Sequence, residues 1–316
     1  MLYLYKIIQS EMGSSKETYK YYVYGLHLES EIELHELKES NEDPDVRISL
    51  GEVPQAIENP VRKTPLTEVR PGYFLIKAPN IADYYITGGD SIVVNIKSFE
   101  DLAGVKTFLL GSALAGVLYQ RALFPFHGSA VSINGKTIII CGNSGDGKST
   151  LAAELNRRGH AFISDDISVI TISESGKPIV HPGYANIRLW EKSLGFLNVS
   201  SENLESVRKN INKYNLGIDN NTISNAIGVD SIYFLDKKFR GATFEVKEVT
   251  GIDRIYKLRL ATYRKNLLKG HGKFEEHFKV CNHIIDHCKL YSLSRNSEIN
   301  TVEAIADHLE NELIHE

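Results

Sequence analysis

The segment Gly142 to Ser149, GNSGDGKS, sets two glycines, a lysine and a serine at the spacing Gly-x4-Gly-Lys-Ser. Glycines in such a loop let successive backbone N–H groups converge on phosphate oxygens, Lys148 supplies a point charge to the β and γ phosphates, and the Ser149 hydroxyl can ligate Mg2+. The apolar run before the loop, TIIIC, predicts a strand. The run after it, STLAAELNRRG, predicts a helix with Leu151, Ala152 and Leu155 on one face and Arg157, Arg158 and Gly159 at its end. A strand, phosphate loop and helix in this order point to an α/β nucleotide-binding domain. The expected nucleotide ligands are Gly142, Asn143, Ser144, Gly145, Asp146, Gly147, Lys148, Ser149 and Thr150.

The strand that feeds the loop is preceded by FHGSAVSINGK, in which Asn134-Gly135 is a strong hairpin signal. That makes the loop strand the second arm of an antiparallel hairpin, so the sheet is expected to be mixed, unlike the parallel crossover sheet of ordinary P-loop NTPases. Residues 1–97 read as a small β-rich domain, with strands in YKYYVYGLHL, DVRISLGEV, YFLIKA and SIVVNI. Residues 98–316 read as the catalytic domain. It begins with a helix over Ser98 to Arg121, carries short strands in HAFISDD, SVITI and SIYFLD, and ends in helices around Leu258–Leu268, Lys273–Cys288 and Thr301–Leu313. From Glu191 to about Asn225 the chain is polar.

A kinase needs a carboxylate near the metal and another group to receive the hydroxyl proton. Asp236 ends an apolar strand 236 − 148 = 88 residues after Lys148, the place of a conventional Walker B, although a strand-ending turn accounts for it better. The pair Asp165-Asp166 follows Lys148 more closely, at 165 − 148 = 17 residues, one helix and one turn away. Adjacent carboxylates at a strand end point to opposite faces, so one can meet Mg2+ while the other meets an incoming hydroxyl.

Composition narrows the acceptor. Lys plus Arg is 36 against 40 for Asp plus Glu, a net charge of −4, which gives no basic surplus for nucleic acid or an anionic membrane. A protein or small-molecule partner is favoured. Cys141, Cys281 and Cys288 make no disulfide framework, and MLYLYKIIQSEMG shows no apolar segment with a small-residue cleavage site. The expected setting is a reduced cytoplasm. The most membrane-like run, Thr107 to Tyr119, falls short of the roughly 20 residues needed to span a bilayer and reads as a buried helix.

Together these residues resemble the bacterial HPr serine kinase/phosphorylase catalytic domain and its shorter relatives, which share a nucleotide-site plan with phosphoenolpyruvate carboxykinase. The similarity runs from His127-Gly128 through the hairpin, GNSGDGKST, Arg158-Gly159-His160 and ISDD, with weaker likeness in PGYANIRLW and YRKNLL. The resemblance implies a mixed-sheet kinase domain of the HPr kinase type, ATP and Mg2+ as cofactors, a peptide or protein substrate, and a tendency to form homo-oligomers. It also implies site roles: Lys148 and Ser149 on nucleotide and metal, His127 beside the carboxylates, and one of Asp165 and Asp166 as general base. Asp165 is the preferred base and Asp166 the preferred metal partner; Arg188 and Arg264 would stabilise the transferred phosphoryl group. The kinases' Gly-rich arginine loop is only approximated by NIRLW, and the first hundred residues differ from the usual sensor domain. The layout, with GLHLESEIELHEL, DVRISLGEV and a tail LYSLSRN, resembles HPr-kinase-like proteins of peptide biosynthesis clusters, some of which phosphorylate a serine of a lasso-peptide precursor. A peptide serine is then the leading acceptor, ahead of a small-molecule hydroxyl or a nucleotide-switched binding module without catalysis.

HGKFEEHFKVCNHIIDHC is rich in His and Cys, but helical geometry argues against a metal site. At 100° per residue Phe274, Phe278, Cys281, Ile285 and Cys288 share a stripe, while His283 and His287 fall on roughly the opposite face from Cys281.

Overall fold

Aromatic and β-branched residues at alternate positions give the leader its sheet. In the computed structural model, which describes residues 17–197, 199–207, 211–218, 221–237 and 240–313, β1 (Tyr19–Val23) and β2 (Leu26–Ser30) form a hairpin around Tyr24 and Gly25, both at positive φ. Then come β3 (Lys38–Glu39), β4 (Val46–Leu50), β5 (Arg62–Lys63), β6 (Thr67–Arg70), β7 (Tyr73–Ala78), β8 (Ala82–Thr87) and β9 (Ser91–Ile96). They assemble in the order β3-β1-β2-β4-β9-β8-β7-β6-β5. The stretch MLYLYKIIQSEMG lies outside the described residues.

Helix α1 (Phe99–Gln120) covers this sheet. At 22 residues it is long and apolar enough to cross a membrane, longer than the thirteen-residue run read from sequence, and 72% of its most apolar stretch is buried inside the protein. Gly116 marks the closest approach to the sheet, since a Cβ there would lie 2.5 Å from the Phe74 ring.

The remaining strands begin with β10 (Phe124–Phe126), β11 (Gly128–Ile133) and β12 (Lys136–Gly142). The β11–β12 hairpin turns at Asn134 and Gly135, with φ of 52° and 84°, as the Asn-Gly pair predicts. Helix α2 (Lys148–Arg157) leads to β13 (Ala161–Ser164), β14 (Ser168–Ile172), β15 (Pro178–His181) and β16 (Asn186–Trp190). Then follow α3 (Glu191–Phe196), β17 (Lys213–Gly217), β18 (Ile227–Gly228), β19 (Ser231–Asp236), β20 (Phe244–Glu248), α4 (Asp253–Ala261), α5 (Asn266–His271), α6 (Phe274–His287), β21 (Lys289–Arg295) and α7 (Val302–Glu312).

The six-stranded sheet runs β13-β11-β12-β19-β21-β20 and is mixed. Strands β12, β19 and β21 are parallel neighbours, while β11, β13 and β20 pair antiparallel. A four-stranded sheet, β10-β14-β15-β18, and the β16–β17 ribbon flank it. One apolar cluster runs from Tyr21 in the leader through Leu118 of α1 to Ile139, Ile284 and Leu290, so the leader and the six-stranded sheet share a core. A second cluster packs Leu151 and Leu155 of α2 and Leu309 of α7 on the sheet's other face.

Two sequence expectations need correction here. The helix expected over Leu258–Leu268 is two helices, broken where Thr262 is extended and Arg264 takes φ 51°. The expected stripe of α6 is only partly inward: Cys281 and Cys288 are buried, with His277 and Ile284 beside them, while Phe274 and Phe278 are 48% and 54% exposed. Phe274, the first residue of the helix, is exposed at its end, and His277 points inward with its Nε2 2.9 Å from the buried Thr262 hydroxyl.

Candidate active site

The hairpin delivers β12 to the loop, and the loop is shaped by positive φ at Gly145 (83°) and Gly147 (109°), which only glycine adopts freely. A Cβ on Gly142 would lie 2.7 Å from the Leu235 carbonyl oxygen of β19, so the loop enters hard against its neighbour strand. Asn143, Ser144 and Gly145 are exposed at the mouth. Asp146, expected among the nucleotide ligands, is buried and braces the loop from within. Its carboxylate accepts the Asn143 N–H at 2.7 Å, its own N–H donates to the Asn143 carbonyl, and its carbonyl accepts Arg295 Nε–H at 2.9 Å. The Thr150 hydroxyl, also buried, donates to Ser193 Oγ at 3.0 Å.

Lys148 opens α2 with its ammonium donating to the Asn143 carbonyl (3.0 Å) and to His127 Nε2 (3.2 Å). The other ring nitrogen, Nδ1, donates to the Asp166 carbonyl oxygen at 2.9 Å, so the two partners define a neutral Nδ1–H tautomer. Burial and the Lys148 charge hold the His127 pKa below its ordinary value, which agrees with a neutral ring. Burial likewise lowers the pKa of Lys148.

Asp165 and Asp166 sit in the turn from β13 to β14, where the chain leaves the six-stranded sheet for the four-stranded one. They face opposite ways, as adjacent residues at a strand end should. Asp165 is 3% exposed, with Oδ1 accepting the Ser129 hydroxyl at 2.5 Å and Oδ2 accepting the Arg188 N–H at 3.0 Å. Asp166 takes φ 66° and turns its carboxylate into a cleft shared with Lys148, Ser149, Thr150, Arg188 and Lys213. Its oxygens lie 3.4 Å from His127 Nδ1 and 3.7 Å from the Arg188 guanidinium. Burial opposes ionisation of Asp166, yet Lys213, His127, Arg188 and Lys148 together hold its pKa below the usual carboxylate range. The carboxylate presented to the cleft is therefore Asp166, whereas Asp165 is committed inside the protein.

The donor set suits a hard divalent cation: the Ser149 hydroxyl and the Asp166 carboxylate face the same cleft. Among the described residues no three His, Cys, Asp or Glu side chains gather as a protein-only metal cage. A site using one or two carboxylates plus phosphate oxygens is the ordinary arrangement for Mg2+. In the His/Cys-rich helix, His277 binds Thr262 and contacts Cys281, while His287 Nδ1 pairs with its own helix at the His283 carbonyl.

Two larger cavities flank the cleft. One, about 680 Å³, opens beside Gly145, Gly147 and Thr150 and is walled by Trp190, Phe196 and Arg295. The other, about 330 Å³, lies on the far side of His127 and includes Asp236, Lys257 and Tyr263. Arg264 belongs to this second cavity and donates to Ser112 Oγ at 2.5 Å. Arg188 belongs to the cleft, with a side chain only 10% exposed and an Nε–H lacking a hydrogen-bond partner among the described residues. The two arginines thus occupy different compartments. Arg158 and His160 stand apart from both: they bind Asp307 and Glu310 of α7, and Arg158 also pairs with buried Glu154.

Sequence reasoning missed Lys213, Ser129 and Arg295. Lys213 comes from a polar stretch with no motif, and Ser129 is an ordinary strand serine. Arg295 stood in the LYSLSRN tail, but its reach to the phosphate loop depends on β21 being two strands from β12.

Comparison with known proteins agrees with this geometry. Residues 122–250 match the family described as HPr Serine kinase C-terminal domain. The HPr kinase/phosphorylase of Chlorobium luteolum is 33% identical over 92 residues, covering 29% of this chain and 26% of that protein. That of Prosthecochloris aestuarii is 31% identical over 94 residues, 27% of this chain and 28% of the relative. The chain thus spans little more than a quarter of the length of these curated relatives. The solved Hpr(Ser) kinase/phosphatase from Coxiella burnetii aligns over 60% of this chain and 97% of its own, at 13% identity and a TM-score of 0.34. The matched residues 122–250 hold the phosphate loop and both aspartates, and over them the chain is similar to the HPr Serine kinase C-terminal domain.

Proposed function

We infer that the protein is a Mg-ATP-dependent kinase that transfers the γ-phosphoryl group to a serine hydroxyl of a peptide or protein. One observation carries the reading: the Asp166 carboxylate is kept ionised in the same cleft as Lys148 and Ser149, with His127 and Arg188 fixing its position. The names of the curated relatives, HPr kinase/phosphorylase, support the reaction class.

In this reading the phosphate loop and Lys148 bind the triphosphate, and the nucleoside lies toward the 680 Å³ cavity. Ser149 and the phosphate oxygens would hold Mg2+, which would neutralise charge on the triphosphate, leaving Asp166 free to accept a proton. The acceptor approaches from the His127 side. Asp166 takes the serine proton as the oxygen attacks the γ-phosphorus in line, the bond to the bridging oxygen of ADP breaks, and Arg188 meets the charge on the transferred group. Asp166 therefore takes the role of base, and Asp165 positions Arg188. Neutral His127 holds Asp166 by its Nδ1–H and receives the Lys148 ammonium on Nε2.

A lasso-peptide precursor serine is a candidate acceptor, the reaction being placed in the cytoplasm. Residues 1–97 would serve as a β-rich leader domain to the catalytic portion, 98–316. The test is incubation with Mg-ATP and, separately, serine-ended peptides, HPr and free serine, with phosphate addition read by mass spectrometry. Lys148→Ala and Asp166→Asn are the controls. Modification of free serine alone would replace this reading with a small-molecule kinase. ATP binding with no phosphorylated acceptor would favour a nucleotide switch.

A further inference from the structure

The second cavity does not end at the site. Its lining residues Leu260 and Lys265 also line a separate groove of about 430 Å³ on the outer surface. The two therefore share the wall formed by Leu260 and Lys265, and the second cavity reaches His127. The groove and the His127 side of the site thus lie on either side of one short stretch of chain.

The groove has a distinct chemistry. Arg62 of β5, Arg259 of α4, and Lys265 and Lys269 around α5 all line it, and no acidic side chain does. None of the four forms a salt bridge among the described residues, and Arg259, Lys265 and Lys269 are exposed. In a chain of net charge −4 this is a local reversal of sign. Its floor is apolar: Tyr256 and Leu260, one turn apart on α4, are 59% and 50% exposed, and Phe274 of α6 completes it. Phe278, one turn further along α6, continues the exposed apolar face. Large apolar side chains left in water and rimmed by charge mark an interaction surface. The nearby acids of α6 are already used, Glu275 by Lys279 and Glu276 by Lys273. The cations' charge is therefore available to a partner.

We propose that this groove docks the acceptor: it takes a peptide segment that combines acidic side chains with aromatic or aliphatic ones, and sets the attached serine beside the neighbouring cavity that reaches His127. The proposal rests on the serine-kinase reading for the purpose of docking, but not for docking itself. The carboxylates would meet Arg62, Arg259, Lys265 and Lys269, and the apolar side chains would cover Tyr256, Leu260 and Phe274.

The test separates binding from chemistry. Fluorescently labelled serine peptides carrying an acidic–aromatic segment are titrated by anisotropy against the full chain, beside peptides with the acids changed to glutamine. Phosphate addition is measured on the same mixtures by mass spectrometry. The acidic peptide should bind at least about tenfold more tightly than its glutamine version and weaken as salt rises. The double variant Arg259→Glu/Lys269→Glu should abolish that preference, and Tyr256→Ser should weaken both peptides; Arg47→Glu, five strands from Arg62 in the leader sheet, should change nothing. Equal binding of the two peptides, or a double variant that binds like wild type, overturns the proposal. So does a double variant that changes sedimentation in place of peptide affinity, since the groove is then an interface between copies of the chain. Selective binding without phosphorylation leaves the docking surface standing and removes the kinase reading; phosphorylation of peptides without acidic preference does the reverse.

Discussion

The backbone N–H of Arg188 donates to Oδ2 of Asp165 at 3.0 Å, so a buried carboxylate on one loop fixes the strand that carries the site's arginine. The same arginine's guanidinium lies 3.7 Å from Asp166, the next residue. Two adjacent aspartates thus hold one arginine from opposite ends. The first anchors its backbone and the second faces its charge.

The aspartates should then fail differently. Asp166→Asn removes the proton acceptor and is expected to lower phosphoryl transfer by about 100-fold or more, as loss of a general base does. Single-turnover transfer measured beside ATP affinity by calorimetry checks this. Affinity that falls as far as the rate would count against Asp166 as the base.

Asp165 should reveal itself in stability. Asp165→Ala leaves the Ser129 hydroxyl and the Arg188 N–H buried without acceptors, at a cost of about 1–3 kcal/mol for each orphaned group. Asp165→Asn should be milder, because an amide oxygen can still accept from Arg188 while its NH2 donates to Ser129 Oγ. Urea denaturation of the two variants orders them; a more damaging Asn than Ala would refute the buried pairing.

The motif residue Arg158 is expected to matter for folding alone. It joins buried Glu154 of α2 to Asp307 and Glu310 of α7. Arg158→Ala should cost about 1–3 kcal/mol in urea denaturation and leave the transfer rate per folded molecule unchanged.

Two buried histidines predict an acid-sensitive fold. Burial takes His271 and His277 each down to about 4, in the first case against the pull of the Arg70 backbone. Between the unfolded value near 6.5 and about 4, the unfolded chain binds more protons than the native one. Stability is therefore full above about pH 6.5 and drains as pH falls toward 4, by up to about 3 kcal/mol per histidine. The pair His271→Phe and His277→Gln should flatten that window in a pH series of denaturation midpoints. An unchanged slope would mean that other groups set it.

The phosphate loop, the Asn-Gly hairpin and the mixed sheet were legible because each depends on residues close in sequence. Gly135, Gly145 and Gly147 are needed where they stand for local backbone reasons. The pairing of Asp165 and Asp166 with the loop was also readable, since one helix and one strand span the gap. Which aspartate faces the cleft was not. That follows from Ser129 and Arg188, 36 and 23 residues away from Asp165, taking its oxygens first. The α6 stripe was legible only in part: Cys281 and Cys288 are inside, but hydrophobicity could not show that Phe274 and Phe278 are left exposed while His277 finds a buried partner in Thr262. Lys213 and Arg295 reach the site only through strand order, which local pattern does not encode.

Tyr24, at the tip of the first hairpin, is buried; its N–H donates to the Pro182 carbonyl, and its ring would lie 3.1 Å from a Cβ on Gly183. It also lies within electrostatic reach of Asp166 and Arg188. A chimera that exchanged only the leader between two relatives would therefore replace part of the wall behind Arg188. The first hairpin and the cleft must be inherited, or engineered, as a matched pair.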